Sequence, residues 1–546
     1  MIYFSTLLFS MFLTIILIPI LKGLAFRMKV VDVPNQRKIH TSPMPKTGGI
    51  AIAMGVFVPL LLWASGNEFV SAVLFGAGVI VLFGFIDDIK ELGYKAKFAG
   101  QLIAALIVIF YGGVKIESLG MLLGHKILLP VVFSIPFTLV AIMGVTNAIN
   151  LSDGLDGLAG GISLLSFICI GYLAYLVGDV SVALISIAIS GAIFGFLRFN
   201  TYPANVFMGD AGSQLIGFMA AILSLSLTQT NQSMSPFLPL FLVGLPVIDT
   251  ITVILERILK ERPLFVADKN HLHHKLMNLG LYHTESVVFI YFIQACLVTF
   301  AFVFRSSSDS FLVIFYFIVS SVMVAGSILI EKKGVKIKRY DFFDKVIKRR
   351  LRILKEKNIF IKVSFRIVEI GAYFILLFTC FIPVAIPSNY SICSMALLVL
   401  NLLVIFIDRS WMKTVMVVSL YLLIPFVVYL SDKSMVEWMN DDLAGLYNLS
   451  FGFLVFFAVL TLKFTRRQNG FKSTPMDFLI LFIALVVPNL PDQRIQSYQL
   501  GLIAAKIIVL YFTYEVLIGE LRVNLNRLGF TTISALTIVS IRGLIG

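Results

Sequence analysis

Five aspartates stand where long apolar runs give way to polar sequence: Asp87, Asp88, Asp153, Asp156 and Asp210. The densest border reads NAINLSDGLDGLAGG over residues 147–161, with Asn147, Asn150 and four glycines around two of the carboxylates. Spacings of three and four put Asn147, Asn150 and, one step on, Asp153 on one helical face. Glycine lets backbone approach a ligand closely. Carboxylates do not anchor a span in lipid; Lys, Arg, Trp and Tyr do that. Alone, such a stretch also reads as a polar loop between two helices, but it is one of five.

The other four carry the same kinds of group. Residues 32–49 read DVPNQRKIHTSPMPKTGG, with Arg37, Lys38, His40 and Lys46 ahead of paired glycines. Residues 86–97 read IDDIKELGYKAK, a carboxylate pair followed by Lys97. Residues 200–213 read NTYPANVFMGDAGS, placing Phe207 beside Asp210, and residues 268–274 read DKNHLHH. Of only six histidines, His40, His271, His273 and His274 fall in these stretches. Carboxylates, cations and histidines on one face suit a diphosphate with a divalent cation. Carboxylate oxygens hold Mg²⁺ while it bridges phosphates, and Lys, Arg and protonated His neutralise charge during phosphoryl transfer. Plainer readings stand beside each: a solvated helix-end pair at Asp87–Asp88, helix packing at Gly48–Gly49, core packing for Phe207. HLHH resembles a zinc patch, yet no Cys or further His offers natural ligands.

These groups must be positioned by membrane helices. The chain has 546 residues, 59% hydrophobic and 14% charged, with a mean hydropathy of +0.96. Apolar runs of spanning length recur throughout, which predicts an all-α polytopic membrane protein; the short alternating strands of a β-barrel are absent. Spans are predicted at 2–22, 48–65, 69–86, 98–112, 128–146, 160–177, 181–197, 213–228, 236–255, 285–304 and 310–330. The first is too long for a signal h-region and lacks a small-residue cleavage site, so it reads as retained. The five polar loops alternate with short loops poor in Lys and Arg, so all five share one side, the cytoplasm by the positive-inside tendency. The net charge of +14 fits basic loops against anionic lipid rather than nucleic acid. Cys169, Cys296, Cys380 and Cys393 lie in apolar runs without CxxC spacing, suggesting neither disulfides nor a thiolate metal site.

Three domains follow: a core over 1–330, a basic cytoplasmic linker over 331–365, and a hydrophobic extension over 366–546. The linker contains KVIKRRLRILKEK at 345–357, either a surface helix on anionic lipid or a plain tether. The extension predicts about six further spans, including a short one at 476–488. Residues 530–546 read as a surface helix or a weak last span, and the acidic stretch from Asp432 to Asp442 as a solvated external loop.

In order, the DD pair, NxxNLxDGLDGLAGG, FMGDxGS and HxHH resemble the polyprenyl-phosphate N-acetylhexosamine-1-phosphate transferases, the family of MraY, WecA and TagO. The likeness covers roughly residues 1–330. DxPxxRKxHxxPxPxxGG and DKNHLHH are similar to the WecA/TagO branch. The resemblance implies a transferase core of ten to eleven helices around a cytoplasmic cleft in a bacterial inner membrane. It implies that undecaprenyl phosphate attacks a UDP-N-acetylhexosamine, by default UDP-GlcNAc, leaving UMP and starting an envelope polymer such as lipopolysaccharide or teichoic acid. It further implies that Asp210 ligates Mg²⁺ (Mn²⁺ being an alternative) and that Asp87 or Asp88 meets the lipid phosphate as base or second metal contact. Asp156 would contact uracil and Phe207 stack on it; Asn147, Asn150 and Asp153 would shape the nucleotide pocket. Lys38, Lys97, His273 and His274 would contact phosphates, with His40 and His271 among the substrate-binding residues. Dimers occur in the family. The long extension departs from its usual length.

A transporter is the rival class. Transporters place ionisable groups near the bilayer midplane, whereas here the carboxylates cluster at span ends and Asp249 comes nearest to a mid-span charge. A catalytically dead scaffold would show gaps in the acidic set, and none is present.

Overall fold

A backbone that cannot bond to lipid must satisfy itself, and an apolar run of about twenty residues does so only as a helix. The structure, a computed structural model, describes residues 2–28, 30–32, 43–64, 66–122, 124–231, 233–261, 271–333, 359–407, 412–464, 500–520 and 526–545. In the first part these form α1 (Ile2–Met28), α2 (Gly48–Trp63), α3 (Glu68–Lys90), α4 (Tyr94–Phe110), α5 (Val131–Leu151), α6 (Leu158–Val177) and α7 (Val180–Asn200). There follow α8 (Gly209–Thr230), α9 (Pro239–Leu242), α10 (Gly244–Leu259), α11 (Leu272–Asn278), α12 (His283–Val303) and α13 (Asp309–Lys333). Two antiparallel pairs interrupt them, β1 (Val31–Asp32) with β2 (Met44–Pro45) and β3 (Ser118–Leu122) with β4 (His125–Leu128). Eleven of the described helices are long and apolar enough to cross a membrane. The protein is an all-α polytopic membrane protein.

α8 is the hub. Every residue from Ala211 to Thr228 is buried, and α2, α3, α5 and α6 all pack on it. Close approach at its first turn depends on absent side chains. A Cβ on Gly49 would stand 2.2 Å from Gly212 N, and one on Gly84 2.5 Å from Ala211 Cα. The start of α2 and the end of α3 therefore press directly onto the turn that bears Asp210.

The predicted span 236–255 is broken rather than continuous, with the break between α9 and α10 at Val243. Pro246 explains it, since proline has no N–H for the carbonyl four residues earlier and its ring crowds that carbonyl. That group, Leu242 O, accepts instead from Ser166 Oγ at 2.6 Å and Gln294 Nε2 at 2.9 Å.

A second compact unit contains α14 (Ile359–Phe381), α15 (Ser388–Ile407), α16 (Met412–Lys433), α17 (Asp441–Phe464), α18 (Leu500–Glu520) and α19 (Asn526–Ile545). Its core includes Val368, Leu376, Leu423, Leu510, Leu517 and Leu536. The stretch expected as weak near the C-terminus is a 20-residue helix, α19, packed on α14 and α15. The acidic stretch is not wholly a solvated loop. Asp432 ends α16 and pairs with Lys506 of α18 at 2.5 Å, with side chains only 1% and 2% exposed. The segments 345–357 and 476–488 lie outside the described residues.

Candidate active site

The polar residues sit on helices that outrun their apolar stretches. α3 continues through Asp87 and Asp88 to Lys90, α5 carries Asn147 and Asn150 on its last turns, and α8 opens on Gly209–Asp210. Lys97, in the first turn of α4, lies 2.6 Å from Asp87 Oδ2 and 3.0 Å from Asp210 Oδ2. Asn150 Nδ2 donates to the other oxygen of Asp210 at 2.7 Å and to Ser213 Oγ at 2.8 Å. Residues from four helices thus close on one cationic centre, which stays 32% exposed at Lys97 and 28% at Asp210.

The two adjacent aspartates divide their work. A step of one along a helix turns a side chain by about 100°, so they cannot face the same way. Asp87 faces Lys97, and its other oxygen accepts from Leu92 N at 2.6 Å. Asp88 is turned beneath the first turn of α8, accepting from Asp210 N at 3.0 Å and Ala211 N at 3.1 Å. Residue Met208, at the N-cap, supplies no side-chain bond, so Asp88 does from another helix what an N-cap acceptor does locally. Gly209 makes the approach possible: its φ is +72°, and a Cβ there would meet Asp88 Oδ2 at 2.5 Å.

Behind this centre is a layer of amides. Asn147 Nδ2 donates to Gln101 Oε1 at 2.7 Å, and Gln101 Nε2 donates to Gln214 Oε1 at 3.0 Å. The sequence reading missed Gln101 and Gln214; their signal is a lone amide in each apolar run, which a buried hydrogen-bond network requires.

The turn after α5 is pinned from several sides. Gly157 N donates to Asn200 Oδ1 at 2.9 Å, and Tyr291 Oη donates to Gly157 O at 2.6 Å. Asp156 Oδ2 accepts from Ala204 N at 3.0 Å, and Asp156 N donates to His283 Nε2 at 3.2 Å. The Tyr202 ring lies over His283, centroids 4.5 Å apart. Asp153 is half-buried in the same turn; burial, then the charges of Asp210, Asp156 and Asp88, raise its carboxyl to about 7. Phe207 is half-buried, and its backbone ties to the first polar segment, Phe207 N to Pro45 O at 2.9 Å and Gly48 N to Phe207 O at 3.0 Å.

α11 brings the histidines to that turn. His273 is buried, and its Nε2 has no hydrogen-bond partner among the described residues. The atom lies so close to Gly154 that a Cβ there would stand 2.2 Å away. Burial, then the His274 charge, lowers the His273 imidazole to about 3, so it is neutral in the ligand-free protein. His274 packs on it at 4.2 Å between centroids. His271 turns away, its Nδ1 2.9 Å from Asp249 Oδ2. Lys38 and His40 lie outside the described residues.

No group of three or more His, Cys, Asp and Glu side chains capable of holding a metal occurs among the described residues. Asp87 and Asp210 nevertheless bring two carboxylates to one positive centre. That is enough for Mg²⁺, which takes one or two carboxylates and completes its shell with water and substrate phosphate.

Residues 70–228 match the family model described as glycosyl transferase family 4. That stretch holds all five aspartates. The chain is 35% identical over 348 residues to a probable undecaprenyl-phosphate N-acetylglucosaminyl 1-phosphate transferase of Bacillus subtilis, covering 63% of this chain and 95% of the relative. An Escherichia coli O157:H7 undecaprenyl-phosphate alpha-N-acetylglucosaminyl 1-phosphate transferase is 30% identical over 64% of this chain and 95% of its own length. A decaprenyl-phosphate N-acetylglucosaminephosphotransferase of Mycobacterium leprae is 37% identical over 49% of this chain and 75% of its own.

Proposed function

This chain belongs to glycosyl transferase family 4, among its polyprenyl-phosphate N-acetylglucosamine-1-phosphate transferases, and from that premise we propose how its residues act. The chain transfers GlcNAc-1-phosphate from UDP-GlcNAc to undecaprenyl phosphate, at the cytoplasmic face of a bacterial inner membrane, as the first step of an envelope polysaccharide. An oxygen of the lipid phosphate bonds to the β-phosphorus of the donor. The bond from that phosphorus to the bridging oxygen breaks, and the oxygen departs with UMP.

The charges dictate what the protein must supply. A phosphate monoester loses its second proton near pH 6, so at neutral pH the lipid phosphate attacks as its dianion and UMP leaves as one. No proton has to be removed. The difficulty is bringing two dianions together, and the remedy is positive charge held ready in the site. Asp87 and Asp210 would hold Mg²⁺, which when bound neutralises diphosphate oxygens. Lys97 adds its ammonium at the same point, and Asn150 fixes the orientation of Asp210. His273, whose buried Nε2 has no partner among the described residues, takes a hydrogen-bond role toward the donor phosphates together with His274. Phe207 and Asp156 flank the uracil, with Asn147 and Asp153 shaping the pocket. Asp88 contacts no reacting atom; it fixes the turn that carries Asp210.

The observation that carries this reading is the meeting of Asp87, Asp210 and Lys97 at the helix ends, where Asp87 is buried and Lys97 and Asp210 stay partly exposed. A soluble nucleotide and a lipid headgroup reach each other at such a place. The test is UMP release by detergent-purified protein given undecaprenyl phosphate, UDP-GlcNAc and Mg²⁺. We expect lipid-dependent release that EDTA and Asp210→Asn both abolish. Release only from another UDP-N-acetylhexosamine would move the sugar. Silence with every nucleotide sugar in folded protein would overturn the reading.

A further inference from the structure

α11 is seven residues long, and a helix that short does not persist unaided in water. It packs on α12 and α13, and α10 adds directed polar contacts. Asp249 and Glu256 are seven positions apart on that helix, almost two full turns, and so lie on one face. At the start of α11, Asp249 Oδ1 accepts from Leu272 N at 2.8 Å while Oδ2 meets His271 Nδ1 at 2.9 Å. The N-cap residue His271 makes no capping bond of its own, so the carboxylate of α10 serves the exposed N–H. One turn on from His271, Lys275 Nζ reaches Glu256 Oε1 at 2.5 Å and Ser327 Oγ of α13 at 2.5 Å. All four charged or titratable side chains of these pairs are 11% exposed or less. Between the two attachments His273 is pressed, Nε2 first, against Gly154.

We propose that Asp249 and Glu256 are positioning residues for the transfer reaction. They grip α11 on either side of His273 and His274, so that both histidines stand at a fixed distance from the turn carrying Asp153 and Asp156. His271 belongs to this grip and does not touch substrate. Apolar packing would stabilise the helix as well, since a buried ion pair is not the cheapest contact. It would not fix rotation and register as directed hydrogen bonds do. The inference rests on the reading of His273 and His274 as phosphate contacts.

Hydrogen exchange and kinetics on the full-length protein test it together. In Asp249→Asn, amides of residues 271–279 should exchange at least tenfold faster, while those of 209–230 stay unchanged. kcat should fall roughly hundredfold, as misplacement by about 1 Å can do, and KM for UDP-GlcNAc should move less than threefold. In a His273→Ala/His274→Ala background the same substitution should cost nothing further, because its effect passes through those two histidines. Unchanged exchange, or an equal fold-loss in both backgrounds, overturns the proposal. Glu256→Gln tests the second attachment by the same readings and serves if Asp249→Asn fails to fold. Silence of the wild type would sink the transferase reading while the exchange data still decide the grip. An active wild type with fully active Asp249→Asn and Glu256→Gln sinks the positioning role alone.

Discussion

Replacing Asp88 by Asn keeps the size of the side chain but leaves one good acceptor where there were two. The structure gives that carboxylate two backbone donors, Asp210 N and Ala211 N, at 3.0 and 3.1 Å. One charge-assisted bond is lost, worth about 2 kcal/mol, and 1.4 kcal/mol is a factor of ten. The ratio of ordered to frayed first turn of α8 should then fall about thirtyfold, and transfer should fall by at most that factor. Asp87→Asn is different in kind. In the mechanism proposed above it removes a charge at the reacting phosphates, where one electrostatic group is worth about 10²–10³ in rate. It leaves the α8 cap untouched. UMP release and thermal unfolding of both variants in one detergent separate the cases. Asp88→Asn should lower the unfolding midpoint and lose the smaller part of activity; Asp87→Asn should keep the midpoint and lose the larger part. The reverse ranking in activity, or an unaltered midpoint for Asp88→Asn, refutes the division of labour between the two carboxylates.

Gly154→Ala puts a methyl group 2.2 Å from His273 Nε2, and a buried ring on a clamped helix has little room to retreat. UMP release should drop at least thirtyfold with the protein still folded, and activity near wild type would show that this approach is unimportant. Lys97→Met removes the cation between Asp87 and Asp210. The rate should fall about a hundredfold, yet half-maximal activity should need less Mg²⁺, since the two carboxylates lose a competitor; a higher requirement contradicts the assignment of the metal site. Asp153 binds a proton in the folded protein up to about pH 7, whereas an ordinary carboxyl loses it near 3.8. Between those values the native state holds a proton that the unfolded chain has released, so ligand-free stability declines as pH rises through this window. Asp153→Asn should therefore raise the unfolding midpoint at pH 8 more than at pH 5. An equal change at both rejects the buried-carboxyl account.

Much of this was readable from the residue order, for a physical reason. Apolar runs must become helices in lipid, so the positions of α1 to α8, α12 and α13 followed from hydropathy. Hydropathy marks where apolar sequence stops, however, and not where a helix stops. Asp87, Asn150 and Asp210 were placed in or beside loops, yet each lies on a terminal helical turn. The adjacent pair Asp87–Asp88 is seen to diverge, but which one turns toward Lys97 and which under the first turn of α8 depends on α8, more than a hundred residues later. Gln101, Gln214, Asp249, Glu256 and Lys275 matter only through partners distant in sequence, and nothing local announces such partners. The break before α10 is legible in Pro246, although the hydropathy of the run as a whole suits one continuous span. Asp432 was read as solvated because its neighbours are acidic, while its partner lies on another helix.

That last pair bears on how the chain is made. Asp432 and Lys506 are 74 residues apart, and at about 5–20 residues per second the acid is synthesised roughly 4–15 seconds before the base. Translocon measurements put a lone Asp or Lys at mid-membrane at about 2.5–3.5 kcal/mol, and less toward a helix end. During that interval the end of α16 has reason to remain at the water boundary, and it can settle only when α18 arrives. The pair therefore gives the second unit a built-in order of assembly, with the last helices licensing the burial of an earlier one. A ribosome that stops short of Lys506 would leave a charged helix end exposed, the kind of feature by which membrane quality control can tell an unfinished protein from a finished one.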